Sequence, residues 1–282
     1  MPVSARAVQL MPVGVRPLRV SRLTEVTPMM RRITFTGAAL DTQTDQAGNL
    51  TPAFSSPGFD DDIRLLFPYP GELTPVLPEI EHGRVTFAPG RRPIARAYTV
   101  RRFDPTTREL DIDIVLHGTG VASTWASTVS VGDVMYVVGP GKTVEPPSDA
   151  DTLLVLGDDT AIPAVARLLE ELPDRATGEV LLSVPGEEYR YELQAPAGVR
   201  VRWIYADALA APSSSPLLTA LQGLTLPREN LAVWVAGEQA EVREIRRFLV
   251  ETWELPRAAI SFTGYWKRGQ SGVPVPDAPD AT

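Results

Sequence analysis

The sequence predicts two domains of different class, an antiparallel β-barrel followed by a predominantly parallel α/β domain. Its 282 residues are enough for two cores. From Leu18 to about Val138 the chain reads as short strands separated by turns, whereas beyond about residue 148 compact apolar strands alternate with helical patterns. The two stretches are joined by Glu145-Pro146-Pro147-Ser148-Asp149, which has the proline and polar character of a linker. The expected boundaries are 1–147, 148–269 and, for an exposed flexible tail without apolar periodicity, 270–282.

In the first half, Arg32-Ile33-Thr34-Phe35-Thr36 and Asp111-Ile112-Asp113-Ile114-Val115-Leu116 alternate polar and apolar residues, as half-buried strands do. Asp41 to Asn49, continuing into Ser55-Ser56-Pro57-Gly58, is polar and predicts a long surface loop. Val121 to Val129 predicts the single helix of this half, and Asp133 to Val138 a closing strand. In the second half Thr152 to Leu156 is a compact apolar strand, followed by the Gly157-Asp158-Asp159-Thr160 turn and a helix from Ile162 to Leu172. Further strands are expected at Glu179 to Val184, Val199 to Ile204 and Leu231 to Val235, and helices at Pro216 to Gln222 and Glu238 to Trp253. That alternation gives a helix-covered parallel sheet.

Composition narrows the chemistry. Cysteine is absent, which excludes disulfides, thiolate catalysis, cysteinyl zinc sites and a cysteine-ligated iron–sulfur cluster. The two histidines, His82 and His117, lie far apart with no motif joining them, so no metal site is expected and redox chemistry has to come from an organic cofactor. A formal net charge of -8 argues against nucleic acid. The start of the chain has no apolar core of a signal peptide and no run reaches the roughly 20 apolar residues of a membrane span, so a cytoplasmic protein without integral membrane association is expected, as is a monomer. The basic pairs Arg31-Arg32, Arg91-Arg92, Arg101-Arg102 and Lys267-Arg268 read first as solvated surface.

Several segments carry chemistry. In Arg96-Ala97-Tyr98-Thr99 an arginine, an aromatic and a hydroxyl lie within one extended segment, suited to a pyrophosphate, an isoalloxazine face and a ring heteroatom. His117-Gly118-Thr119-Gly120-Val121-Ala122 is a glycine turn running into a helix start, where backbone N–H groups and the helix dipole favour phosphate. His117 contacts the flavin or caps the strand, and Trp125 reads as a packing anchor. The Gly157 to Ala164 turn lies between strand and helix, where open α/β sheets bind nucleotides, with Thr160 and the backbone at Ala161 as phosphate contacts and Asp158 and Asp159 as contacts or helix caps. Gly237-Glu238 occupies the corresponding place after a later strand, with Glu238 also suited to a helix N-terminus. Gly264-Tyr265-Trp266-Lys267-Arg268-Gly269 sets two aromatics beside two cations.

These segments, in this order from about Leu18 to Gly269, resemble the siderophore-interacting proteins of the ferredoxin-reductase-like superfamily. The resemblance implies a six-stranded, FAD-binding barrel with one helix, a Rossmann-like NAD(P)H-binding domain, and transfer of electrons from NADPH or NADH through FAD to a ferric siderophore. NADPH is favoured by family tendency, and the loop Val184 to Arg190 offers both carboxylates and an arginine. It implies cofactor contacts at Arg96, Tyr98, Thr99, Val115, His117, Gly118, Gly120, Ala122, Thr124, Asp158, Thr160, Ala161, Gly237, Glu238 and Trp266. Substrate contacts are implied at Arg64, Lys142, Lys267 and Arg268, and no side chain is needed as acid, base or nucleophile. A general NAD(P)H:flavin or quinone reductase, and a non-catalytic siderophore-binding module, are the alternatives.

Overall fold

The computed structural model describes residues 6–44, 50–81, 84–86, 90–116, 120–145, 150–190, 192–208 and 215–269. Two compact units are present, one built on Val8–Val26 and Met30–Thr143, the other mainly on Val144–Gln270.

The first unit is a curled antiparallel sheet. Its strands are β1 (Val15–Thr27), β2 (Met30–Thr36), β3 (Asp62–Phe67), β4 (Ile94–Thr99), β5 (Arg102–Asp104), β6 (Glu109–Val115) and, after helix α1 (Val121–Thr128), β7 (Val134–Val138). The sheet order is β5-β6-β2-β1-β7-β3-β4. The two edge strands, β4 and β5, are separated in the chain by Val100 and Arg101 alone. Residues 94–99 pair with β3, and after Val100 N–H donates to Asp61 O, Arg101 N–H donates to Asp111 O of β6 at the opposite edge. One bent segment therefore serves both edges, and counting it once gives the six staves expected of the barrel. Closure of this kind removes the unpaired edges that an open sheet would present.

Alternation along the strands fills the interior. Ile33 and Phe35 of β2, Ile63, Leu65 and Phe67 of β3, and Leu110, Ile112 and Ile114 of β6 join Leu18, Val20 and Met135 in one buried cluster, which α1 covers with Ala122 and Ala126. Trp125 is the packing anchor its sequence suggests, stacked with Phe35 at 6.4 Å and edge-on to Phe67 at 5.9 Å. The segment read as a polar surface loop is exposed at most of its described positions and is anchored at its flanks. Leu40, Phe54 and Phe59 are buried, and the buried Arg16 guanidinium donates to the carbonyls of Ala39 and Pro52. Residues 45–49 of that loop lie outside the described set, as does the tail 270–282.

The polar face of β6 corrects the half-buried expectation. Asp111 and Asp113, opposite the core face, are 2% and 3% exposed, because the basic pairs read as solvated surface turn onto them. Arg32 Nε and Nη2 donate to Asp113 at 2.7 and 2.8 Å, Arg102 Nε donates to Asp111 at 2.8 Å, and the Thr34 hydroxyl donates to Asp111 at 2.6 Å. Arg101 is itself buried, 3.9 Å from Asp113. Arg31 donates instead to the Ala126 carbonyl in the last turn of α1, where a cation complements the helix dipole.

The second unit contains β8 (Thr152–Gly157), α2 (Ile162–Glu171), β9 (Thr177–Val184), β10 (Gly198–Tyr205), α3 (Pro216–Gln222), β11 (Leu231–Glu238), α4 (Gln239–Glu251) and β12 (Ile260–Trp266). All five strands are parallel, in the order β10-β9-β8-β11-β12. Central strands β8 and β11 are apolar along nearly their whole length because both faces are covered. On one face α3 and α4 pack Leu217, Leu221, Val242, Ile245 and Leu249 against Leu154, Leu156, Val233 and Val235. Strand β12 has no counterpart among the strands the sequence predicts, where its end stands only as the Gly264 to Gly269 motif. As an edge strand it is half exposed, with Arg246 lying 4.1 Å from the Phe262 ring centroid, so it lacks the apolar run that marks β8 and β11.

Removing one partner of a buried pair leaves the other charge uncompensated. Arg32→Ala is therefore expected to destabilise the protein by about 3 kcal/mol, because Asp113 keeps its burial and loses its bidentate donor. Urea unfolding monitored by circular dichroism checks this, and a loss below about 0.5 kcal/mol, the scale of an exposed pair, would show that the network is ornamental.

Candidate functional site

In the second unit the strands run 3-2-1-4-5 by order of appearance, so successive connections leave β8 in opposite directions and a crevice opens between the carboxyl ends of β8 and β11. Ligands of open α/β sheets bind at this switch point. The residues singled out from the sequence meet there. Asp158 follows β8, Gly237 and Glu238 end β11, and Trp266 ends β12.

Their arrangement is governed by two carboxylates. Asp158 Oδ1 accepts from Thr160 N at 3.0 Å and from the Thr160 hydroxyl at 2.5 Å, while Oδ2 accepts from Glu238 N at 2.8 Å and Trp266 Nε1 at 2.7 Å. Glu238 Oε2 caps α4 by accepting from Ala240 N and Glu241 N at 2.6 and 3.0 Å, and Oε1 accepts from Arg268 N at 3.1 Å. Both acids thus act as caps, the structural alternative allowed by the sequence. Thr160 and Ala161, expected as phosphate contacts, turn their donors inward, since Ala161 N–H donates to Asp158 O. Gly237 is required on two grounds. Its φ of +147° disfavours other residues, and a Cβ there would lie 2.6 Å from Asp158 Oδ2.

Burial raises the Asp158 carboxyl above its usual range, opposed by the hydrogen bonds it accepts. Its neighbour Asp159 is raised to about 7, first by burial and then by the Asp158 charge. Burial also raises Glu241, whose carboxylate accepts from Ser215 at the start of α3.

In the first unit Arg96 and Tyr98 lie opposite Leu65 and Ile63 of β3, on the face that builds the barrel core, whereas Thr99 is buried on the other face opposite Asp62. Arg96 is half-buried, with Nη1 donating to Ala95 O at 2.8 Å. The Tyr98 ring packs on the core, and burial pushes its hydroxyl up to about 12. Arg64 shares the face of Thr99, across from the exposed Ala97. Burial pushes the Asp62 carboxyl up, while the positive charges of Arg64 and Lys142 pull it down. The structure thus brings together two of the four expected substrate cations around Asp62. Val115 and Ala122 are buried, and Thr124 is exposed in the first turn of α1. His117 and Gly118 lie outside the described residues.

Models of two families match the chain in tandem, the siderophore-interacting FAD-binding domain over residues 19–144 and the siderophore-interacting protein over residues 150–269. The chain belongs to the siderophore-interacting protein family. This siderophore-interacting protein is 34% identical over 226 residues to the ferric vibriobactin reductase ViuB of Vibrio cholerae, covering 76% of this chain and 81% of that one. It is 30% identical over 255 residues to the NADPH-dependent ferric-chelate reductase of Escherichia coli, with 89% and 92% covered. Among solved structures, a siderophore utilization protein from T. fusca superposes with a TM-score of 0.84 at 35% identity, covering 95% of this chain and 98% of that one.

The FAD expected of such a domain fits the residues present. α1 has no side-chain cap at its N-terminus, and Gly120, with an ordinary φ of −67°, would carry a Cβ that meets nothing within 4 Å. Among the described residues nothing demands glycine there, and the N–H groups left without a side-chain cap suit an anionic group. Among the described residues no group of three or more His, Asp or Glu is placed to hold a metal ion, and no helix is long and apolar enough to cross a membrane. Sequence reasoning missed the Asp62 cluster, whose signal was the Asp60-Asp61-Asp62 run preceding Arg64, and the bonding of Trp266 to Asp158, whose partners are 108 positions apart.

Gly237→Ala in this siderophore-interacting protein is expected to cost about 2 kcal/mol or more through backbone strain and displacement of Asp158, read as a lower melting temperature. Asp159 gives a pH signature. Its folded pKa of about 7 exceeds its unfolded value, so the native state binds more protons and stability falls as pH rises through roughly 4 to 7. Asp159→Asn should therefore melt about 5 °C above the parent at pH 8 and level with it at pH 4. Equal differences at both pH values would exclude an Asp159 titration.

Proposed function

We propose that the protein is a ferric-siderophore reductase that takes electrons from a nicotinamide nucleotide through bound FAD. The observation that carries this reading is the tandem of an uncapped helix N-terminus on an FAD-binding barrel and a switch-point crevice on a five-stranded parallel sheet, in a chain whose relatives are named ferric vibriobactin reductase and NADPH-dependent ferric-chelate reductase. When bound, FAD supplies the conversion of a two-electron hydride donor into single electrons for ferric iron.

The chain's own residues bind and orient. Arg96 and the first turn of α1 hold the pyrophosphate, Tyr98 and Thr99 support the ring system, and Gly120 admits the dinucleotide backbone. The nicotinamide nucleotide lies along the carboxyl edge of the second sheet, between the 157–161 turn and Gly237. NADPH is the preferred donor. Arg190 follows the second strand of this sheet, where a 2′-phosphate is read, and is exposed with its Nη1 donating to the Tyr205 hydroxyl at 3.3 Å. Arg64 and Lys142, with the exposed Lys267 and Arg268, supply the positive charge that draws an anionic ferric chelate to a chain of net charge -8. Reduction loosens the metal, since hard oxygen donors hold ferric iron better than ferrous iron.

The test is anaerobic. FAD-loaded protein mixed with NADPH should lose its flavin absorbance and regain it on addition of a ferric siderophore, with stoichiometric ferrous iron captured by a chromogenic trap. Bleaching without recovery on the chelate would leave a general flavin reductase, and absence of bound flavin a non-catalytic module. Charge-neutralising substitution of Arg64 with Lys142 is expected to raise KM for the ferric chelate about tenfold while turnover of ferricyanide stays within about twofold. Equal loss on both acceptors would count against a chelate-binding role for these cations.

A further inference from the structure

Three independent features aim one side chain at the switch point. The first is a break in the ladder between β11 and β12. Gly264 pairs with Gly237, yet the partner of Glu238 is Trp266 and not Tyr265. Tyr265 is the extra residue of a bulge and packs edge-on against Trp234 at 6.4 Å. An unbroken ladder would set the phenol at the register position that the indole holds, so the bulge decides which aromatic is presented there. The second is Asp158, which accepts the indole N–H at 2.7 Å. An indole has one donor and no acceptor, so this bond satisfies its single polar group and anchors its Nε1 edge. The third is Gly237, where any side chain would strike that same carboxylate. The far end of the segment is pinned as well, through Arg268 N–H donating to Glu238.

We propose that Asp158 is a positioning residue that acts through Trp266, fixing the Trp266-Lys267-Arg268 segment at the mouth of the crevice and so setting the affinity for nicotinamide nucleotide without touching the nucleotide. The four donors that saturate its carboxylate leave it no geometry for a ligand, and they come from Thr160, Glu238 and Trp266, tying three parts of the crevice together. This inference rests on the nucleotide site of the proposed function and not on the identity of the electron acceptor.

The experiment uses full-length, FAD-loaded protein labelled with 5-fluorotryptophan, in the parent, Asp158→Asn, Trp266→Phe and the double variant. The Trp266 fluorine resonance, assigned by its loss in Trp266→Phe, should shift in nucleotide-free Asp158→Asn while those of Trp125, Trp203 and Trp253 hold. The Kd for NADP+, which binds without reducing the flavin, should rise on the order of tenfold in each single variant and no further in the double. Multiplied losses in the double variant, or an indole resonance unmoved by Asp158→Asn, would overturn the proposal. Should Asp158→Asn fail to fold, Trp266→Phe decides alone, since unchanged NADP+ affinity there overturns it and a tenfold loss supports it. A parent protein that binds no NADP+ overturns it too. Failure of the reductase reading looks different, with ferric-chelate turnover absent and the coupled binding and resonance effects intact.

Discussion

The carboxylate of Asp158 is the constraint on which the second unit's crevice depends. A buried acid is costly unless its charge is met by donors, and here the four come from three places, its own turn, the end of β11 and the end of β12. The desolvation that raises its pKa also strengthens each of these bonds, so the group is either fully satisfied or a liability. That all-or-nothing character converts three separate strand ends into one rigid edge. Glu238, whose own N–H bonds to Asp158, repeats the device, using one oxygen to cap α4 and the other to hold Arg268 N–H. The carboxyl edge of the sheet is thus built from carboxylates bonded to N–H groups, with glycine at 237 where a side chain would strike Asp158.

The first unit solves a different problem. A six-stave barrel must close, and it closes through one bent segment whose two halves pair with opposite edges. The predicted flavin residues Arg96, Tyr98 and Thr99 lie on the first half of that segment, immediately before the bend, so the same backbone that shuts the barrel presents them. Just beyond the bend, Arg101 and Arg102 meet Asp111 and Asp113, and Arg32 meets Asp113 from the neighbouring strand. A paired charge network in such a position adds little net stability compared with apolar packing, but it penalises every other register heavily. It pins the register of β5, β6 and β2.

Much of this was legible in the sequence, and the reasons for the rest are physical. Elements whose periodicity is imposed by burial, such as α2, α3 and β8, could be placed within a residue or two because the apolar pattern and the fold demand the same thing, whereas β11 runs three residues past its predicted end. β12 was missed because an edge strand with one covered side need not be apolar. The basic pairs around Arg32 and Arg101 were misjudged for the converse reason, since a charge pattern shows composition and not partners. The same holds for the site. Local segments revealed where Asp158, Gly237 and Trp266 stand in the chain, but the bond between Asp158 and Trp266 spans 108 positions and the bulge at Tyr265 leaves no local mark, so only the folded chain joins them.

The acidic balance of the chain bears on how an anionic chelate is received. A net charge of -8 spread over the surface repels anions at long range, but beyond a Debye length of about 8–10 Å at physiological salt that repulsion is largely screened. Within that distance nearby groups dominate. Around Asp62 the cations Arg64 and Lys142 are set against a second acid, Asp60, and burial works against the Asp62 charge. Thr99 and Arg64 share one face of β4 and β3, separated by an alanine that fills little space, so the positive charge stands beside the residue expected at the flavin ring and not at a distance from it. On the proposed reading, recognition of the chelate would belong to a few placed cations acting over short range on an otherwise repelling surface.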